Sequence, residues 1–469
     1  MNKKACIGVF ALTMLMSGAI DGIRNLPSIA IFGQQLIFFF IAASILFLIP
    51  VGLISAELCA QSKEESGVYI WSKQAYGSAF GTITAWLQWV NTMVWFPLSL
   101  TTLTGTAAYL INPALAKNPV YLVVASLSAF WGMTILNLKG IKQSAKIASF
   151  ATTIGMVIPM IIIIGLCLLW LFLGKPTALK ITHEAISPNF HLQHTWVSLT
   201  AIIASFLGLE LATVHVKKVS NAQKIFPKAL LFSVLLTIVV LGFGSFGVAL
   251  IVPHQKIILV AGTIQAFNVI FTGLHVAWLE KILGVMLLFG SLGAIINWLI
   301  SPSKSLAQAA KDSYLPKVLS KENKHGASSN ILIFQAVIVS LVSCAFFLMP
   351  SVSGSYWLLL DLSTELYVIM YLCMFIAGLK ILMNSEKILL IPGGKLSAMA
   401  ASFVGIIGCL ITIVVGFFPP SNINVGGDLH YVTLFAGGVL IMTIPAAVLI
   451  VGKKLFVSKP VLEVGYENA

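Results

Sequence analysis

Five ionisable side chains interrupt long apolar stretches: Asp21, Arg24, Glu210, Asp361 and Glu365, with Glu57 at the end of another. A charge in such a stretch is costly unless it meets a partner, a cavity or a ligand, so each is a functional candidate. Arg24 is the one arginine among 28 basic residues. Its planar fork of donors suits two roles: gripping a substrate carboxylate, or an internal salt bridge to Asp21 or Glu210. Glu210 can hold a substrate amine, carry a proton, or accept hydrogen bonds from freed backbone. Asp361 and Glu365 are spaced i,i+4 and share one helical face. They either line a cavity and join in proton coupling or mark a wetted helix.

The segments around the first of these groups are poor material for continuous helices. Residues 14–33 read MLMSGAIDGIRNLPSIAIFG, crowding Gly18, Asp21, Gly22, Arg24, Asn25 and Pro27 into a few turns. Glycine weakens a helix, and Pro27 supplies no N–H and clashes with the turn before it. Residues 205–216, SFLGLELATVHV, place Gly208 and Glu210 together in a second interruption. Transporters built from inverted repeats carry discontinuous helices at corresponding positions of their halves. The freed amides of one half-helix attract a carboxylate, and the freed carbonyls of the other attract an ammonium group. An amino-acid zwitterion matches that field, which makes Gly18, Asp21, Gly22, Arg24, Gly208 and Glu210 candidate substrate-binding residues. Glu210, Asp361 and Glu365 are candidates for proton coupling.

The elements that must position these groups follow from composition. The 469 residues are 58% hydrophobic and 9% charged, with a mean hydropathy of +0.99. Too little polar surface exists for a water-soluble fold, so the chain is expected to be an all-α membrane protein. Apolar runs predict twelve spans, at 6–32, 35–58, 77–111, 119–137, 146–173, 195–215, 227–252, 281–309, 328–349, 354–379, 396–418 and 430–452. With the N-terminus in the cytoplasm, 22 lysines fall in cytoplasmic segments and four (Lys117, Lys175, Lys180 and Lys256) outside. Lys281 sits at the outer mouth of the eighth span. This positive-inside asymmetry accounts for the net charge of +13 without a nucleic-acid partner, and places both termini in the cytoplasm. The first apolar stretch is too long, and lacks the cleavage site, for a removable signal peptide.

Other chemistries fail on context. Gly242, Gly244 and Gly247 spell GxGxxG inside the seventh span, where close helix packing explains them better than a dinucleotide does. The sequence holds no Walker A loop, no HExxH and no GxSxG, so neither ATP-driven transport nor hydrolase activity is expected, and the chain is not expected to be an enzyme. The six cysteines form no CxxC pair, and His183, His191 and His194 of the external loop 174–194 match no metal-site spacing. Residues 256–275 suit a short external hairpin or re-entrant lid.

Several stretches are similar to one family in the same order along the chain: FLIPVGLISAEL (47–58), SGVYIW (66–71), FLGLELATVHVKKVSN (206–221), INWLISPSKSL (296–306), IPGGK (391–395) and GFFPPSNI (416–423). The chain resembles the amino acid–polyamine–organocation (APC) superfamily, and within it the bacterial glutamate:GABA antiporters. The resemblance implies a LeuT-type fold of ten core helices in two inverted repeats, at 6–173 and 195–379, followed by two more at 396–452, all in one domain, 1–469. It implies alternating access, usually by exchange, in a bacterial inner membrane, with no organic cofactor and a monomer or homodimer as the unit. It points to the residues around Gly208 and Glu210 as substrate-binding. The sequence departs from the family where Lys217 and Lys218 precede Ser220-Asn221-Ala222, and where Ala294 stands in place of an acidic residue of the eighth span, which makes Ala294 a further candidate substrate-binding residue. The expected function is an amino-acid antiporter with glutamate or a related small amino acid as one substrate. The alternatives are proton-coupled uptake of a neutral or cationic amino acid and, more remotely, a non-transporting sensor or a channel.

Overall fold

The structure is a computed structural model. It describes residues 8–20, 22–61, 67–139, 153–180, 182–189, 193–211, 213, 219, 222–311, 315–324, 328–386, 389 and 391–457. Among these the regular elements are helical. The first span is two half-helices, α1 (Val9–Ala19) and α2 (Gly22–Ala30), joined through Ile20, whose backbone is extended. The second is α3 (Leu36–Ala43) and α4 (Ile49–Gln61), linked by a π-helical turn over Ser44–Leu48. Then come α5 (Val68–Tyr76), α6 (Ser78–Ile111), α7 (Pro119–Leu138), α8 (Ile158–Phe172) and α9 (Gln193–Ala204). The remainder are α10 (Ala222–Ile251), α11 (Gly262–Gly273), α12 (Leu279–Lys311), α13 (Ser329–Ser343), α14 (Val352–Met383), α15 (Gly394–Val415) and α16 (Asp428–Val457).

Nine helical stretches among the described residues are long and apolar enough to cross a membrane. They coincide with the second to fifth, the seventh and the ninth to twelfth expected spans. The first expected span is the broken pair α1 and α2, the sixth is the shorter apolar stretch Thr195–Leu211, and the eighth falls within α12. The expected lid region forms α11.

Large apolar side chains such as Ile161, Leu168, Leu440, Ile441 and Val448 point outward, as a lipid-facing surface requires. Association without a hydrophobic drive depends on close contact, and small residues supply it. A Cβ at Gly242 would meet Phe40 at 3.2 Å, one at Gly244 would meet Leu26 at 3.0 Å, and one at Gly247 would meet the Cys167 sulfur at 2.6 Å. The three glycines of the GxGxxG match are therefore helix-packing residues. Gly155 and Gly290 bring a π-helical turn before α8 against the backbone of α12. In α4, Pro50 cannot donate to the carbonyl of Leu46; the chain responds with the π-helical turn, and Gly408 of α15 packs onto that carbonyl.

The core of the bundle is α6, which packs on α5, α7, α12, α13 and α14. Gln88, Asn91 and Trp95 all lie buried along it. Helix α14 touches α4, α5, α6, α9, α15 and α16, so its two flanks face different compartments of the bundle.

Candidate functional site

Both expected interruptions are present. α1 stops at Ala19, and the whole of α2 is buried. The other chain break begins where α9 ends at Ala204; Gly208 then takes φ +101°, a left-handed value that glycine accommodates without strain, before a short turn through Leu211. The Gly208 N–H donates to the Tyr371 hydroxyl at 3.1 Å. Helix α11 ties down the first break: Thr263 donates to the carbonyl of Ile23 at 2.9 Å, and Gly262 lies against Pro27.

Between the two breaks is a small cavity of about 10 Å³, enough for about one water. It is lined by Arg24 from α2, Asn91, Trp95 and Leu98 from α6, Ala204 and Leu207 from the second break, Trp298 from α12, and Leu360, Ser363 and Thr364 from α14. Arg24 is 5% exposed, and its guanidinium lies 5.4 Å from the centroid of the Trp95 ring. Trp95 stacks on Trp298 with centroids 4.7 Å apart, and Trp298 in turn meets Tyr367. Ser363 donates to the Asn91 side-chain oxygen at 2.6 Å, which links α14 to α6 beside the cavity.

Glu210 closes the other end of this aromatic row. It is buried and accepts from Gln88 Nε2 at 3.0 Å, from the Tyr367 hydroxyl at 2.6 Å, and from the Tyr371 hydroxyl. A carboxylate buried this deeply persists only with such donors. Arg24 and Glu210 thus bracket a wall of Trp95, Trp298 and Tyr367: a cation with flat donors at one end, a fully hydrogen-bonded carboxylate at the other.

The remaining sequence candidates are placed elsewhere. Gly22 faces α8, where a Cβ would meet Met160 at 2.6 Å. Gly18 is buried within α1, and Ala294 is buried one turn before Trp298 on α12; neither lines the cavity. Asp361 and Glu365 belong to the flank of α14 turned toward α15 and α16, since Tyr431 donates to Asp361 and Gly416 lies beside Glu365. Asp21, His191, His215, Lys217, Lys218, Ser220 and Asn221 lie outside the described residues.

With this geometry in place, comparison with known proteins decides the family. A family model described as amino acid permease matches residues 7–443. The chain belongs to the amino acid permease family. It is therefore a multi-pass transport protein of the APC superfamily, as the sequence motifs implied. Among its relatives is an uncharacterised transporter of Legionella pneumophila, 34% identical over 94% of this chain and 95% of the other. A glutamate/gamma-aminobutyrate antiporter of Lactococcus lactis is 28% identical over 90% of this chain and 86% of its own. The putrescine transporter of Escherichia coli is 23% identical over 74% and 76%.

Within this family member, sequence reasoning missed much of the cavity, namely Asn91, Trp95, Trp298, Ser363 and Thr364, and the two tyrosines that hold Glu210 beside it, Tyr367 and Tyr371. A signal existed. Gln88, Asn91 and Trp95 recur at i, i+3 and i+7 in an otherwise apolar helix, and Leu360, Ser363, Thr364, Tyr367 and Tyr371 follow one face of α14. Neither row carries a charge, so a search for ionisable groups passed over both.

Proposed function

We propose that this chain is an amino-acid antiporter that works by alternating access in a bacterial inner membrane, with both termini cytoplasmic and glutamate or a related small amino acid as one substrate. The observation that carries the reading is Arg24, buried at the break of the first span and facing a cavity whose other polar groups are Asn91, Ser363 and Thr364. A guanidinium offers two parallel N–H donors to a carboxylate. The Trp95 and Trp298 faces suit an aliphatic stem and an ammonium group, which an aromatic ring attracts by cation–π interaction. Gly208 opens the backbone beside them for the remaining polar end of a zwitterion. Glu210 acts as a positioning residue that fixes Tyr367 and Tyr371 against the aromatic wall.

The cavity is far smaller than an amino acid, so binding requires α2 and the turn at 205–208 to part from α6 and α14. This is the motion expected of broken helices in a five-plus-five repeat, with 6–173 and 195–379 as the two halves and 396–452 outside them. Exchange is supported by the Lactococcus relative, a glutamate/gamma-aminobutyrate antiporter. The test is entry of labelled glutamate into proteoliposomes preloaded with single unlabelled amino acids. Entry that requires an internal amino acid supports antiport. Equal entry into empty vesicles sinks the exchange mechanism, and absence of entry under every loading sinks the substrate assignment.

A further inference from the structure

The flank of α14 that faces away from the cavity holds a second pair of buried acids. Asp361 is 1% exposed and Glu365 is 3% exposed, one helical turn apart. Asp361 Oδ2 accepts from Trp357 Nε1 at 2.9 Å and from the Tyr431 hydroxyl of α16. Its second oxygen, Oδ1, is buried with no hydrogen-bond partner among the described residues. Glu365 has no recorded hydrogen bond among the described residues; its Oε2 lies against Gly416, where a Cβ would approach to 3.1 Å. The two carboxylates interact electrostatically with each other.

We propose that Asp361 and Glu365 form a proton-binding site, separate from the substrate cavity, whose occupancy controls how α14 packs on α15 and α16 and so controls the rate of exchange. The inference rests on the transport reading above. Two negative charges a turn apart and out of water repel each other and lose hydration, and a shared proton removes both costs. It also turns an unmatched oxygen into a donor that the neighbouring carboxylate can accept. The other titratable groups recorded at the pair are Tyr431 from α16 and Cys409 from α15. Helix α6 offers no titratable group apart from Tyr109 near its end. Glu57 and Cys59 on α4, and Tyr69, Lys73 and Tyr76 on α5, lie toward the end of α14 that carries Lys380, whose ammonium sits over the Tyr76 ring. Arg24 lines the cavity beside Leu360, Ser363 and Thr364, and Glu210 accepts from Tyr367, so both meet the cavity side of α14. No lysine, arginine or histidine has a recorded contact with either acid among the described residues. A hard metal ion would want about six or more oxygens, and no group of three or more His, Cys, Asp or Glu side chains exists among the described residues. The proton is the ligand that fits.

A path from this pair to the cavity is present. Asp361 follows Leu360 and Glu365 follows Thr364, and both of those preceding residues line the cavity. The indole held by Asp361 also meets Phe32 edge-on, centroids 5.7 Å apart, just beyond α2. Releasing or holding Trp357 therefore reaches the half-helix that carries Arg24.

The test compares wild type with Glu365→Gln and Asp361→Asn in proteoliposomes, as glutamate exchange against outside pH, with sodium and potassium varied separately. Gln is a permanent neutral stand-in for the protonated acid, so Glu365→Gln should exchange at high pH as wild type does at low pH. Between outside pH ~5 and ~8 the wild-type rate should change by about tenfold and that of Glu365→Gln by less than about twofold. Superimposable profiles overturn the proposal, as does a rate set by sodium or potassium rather than pH. If either variant is inactive, or wild type shows no exchange, pH-difference infrared spectra of the reconstituted proteins decide. A carboxylic-acid band lost in Glu365→Gln supports the site. A band unchanged by that substitution, or absent from wild type, overturns it. Absence of glutamate exchange in wild type at every pH sinks the substrate assignment above instead, and the infrared result still stands alone.

Discussion

The two flanks of α14 treat buried carboxylates in opposite ways. On the cavity side, Glu210 receives three side-chain donors, from Gln88, Tyr367 and Tyr371. On the α15–α16 side, among the described residues, Asp361 has two donors and a bare oxygen, and Glu365 has no hydrogen bond. The first arrangement holds an acid still and uses it to fix two tyrosines. The second leaves acceptor sites open in the protein interior, where an open site is costly. The contrast separates a positioning acid from an acid poised to bind a proton, although both are buried and both are carried by spans.

Substitutions can break this contrast. The largest effect is expected at Arg24. Arg24→Ala should abolish glutamate exchange, and Arg24→Lys, which keeps the charge but loses the fork, should raise KM for glutamate by about tenfold or more. Competition by neutral amino acids should change much less, because they lack the second carboxylate. Glu210→Gln leaves Tyr367 and Tyr371 with one amide oxygen to share in place of two carboxyl oxygens; thermal unfolding in detergent should show a loss of about 1–3 kcal/mol. If that variant is as stable as wild type, Glu210 is not the structural acid described here. Trp298→Leu removes one face of the aromatic wall and should raise KM by about two- to tenfold, with little change in stability relative to Glu210→Gln. The smallest effect belongs to Tyr431→Phe. It should alter the pH profile of exchange while leaving KM for glutamate within about twofold.

The sequence made the scaffold legible because its signals are additive over long stretches. Hydropathy over about twenty residues located nine helical stretches that, among the described residues, are long and apolar enough to cross a membrane, and Gly18, Gly22, Pro27 and Gly208 marked both breaks. Arg24 was legible as a candidate, a lone guanidinium in an apolar stretch, but its two roles stayed open, and only the packing puts it in the cavity lining. The cavity wall was not legible. Trp95, Trp298, Ser363 and Thr364 are ordinary residues of membrane helices, and only the packing of α6, α12 and α14 brings them together. The facing of Asp361 and Glu365 was equally hidden. Their i,i+4 spacing shows that they share a face, but not that the face meets α15 and α16 while Leu360 and Thr364 meet the cavity. Gly22 illustrates the reverse error. It sits at the break, yet its space is taken by Met160, so its smallness serves packing.

The measurement that tests the account most directly is labelled glutamate exchange, with KM and outside-pH profile recorded in parallel for wild type, Arg24→Lys and Glu365→Gln. The account predicts that Arg24→Lys raises KM and keeps the wild-type pH profile, while Glu365→Gln flattens the profile and keeps the wild-type KM at low pH. An unchanged KM in Arg24→Lys, together with a raised KM and an intact pH profile in Glu365→Gln, would contradict it and place the substrate on the other flank of α14.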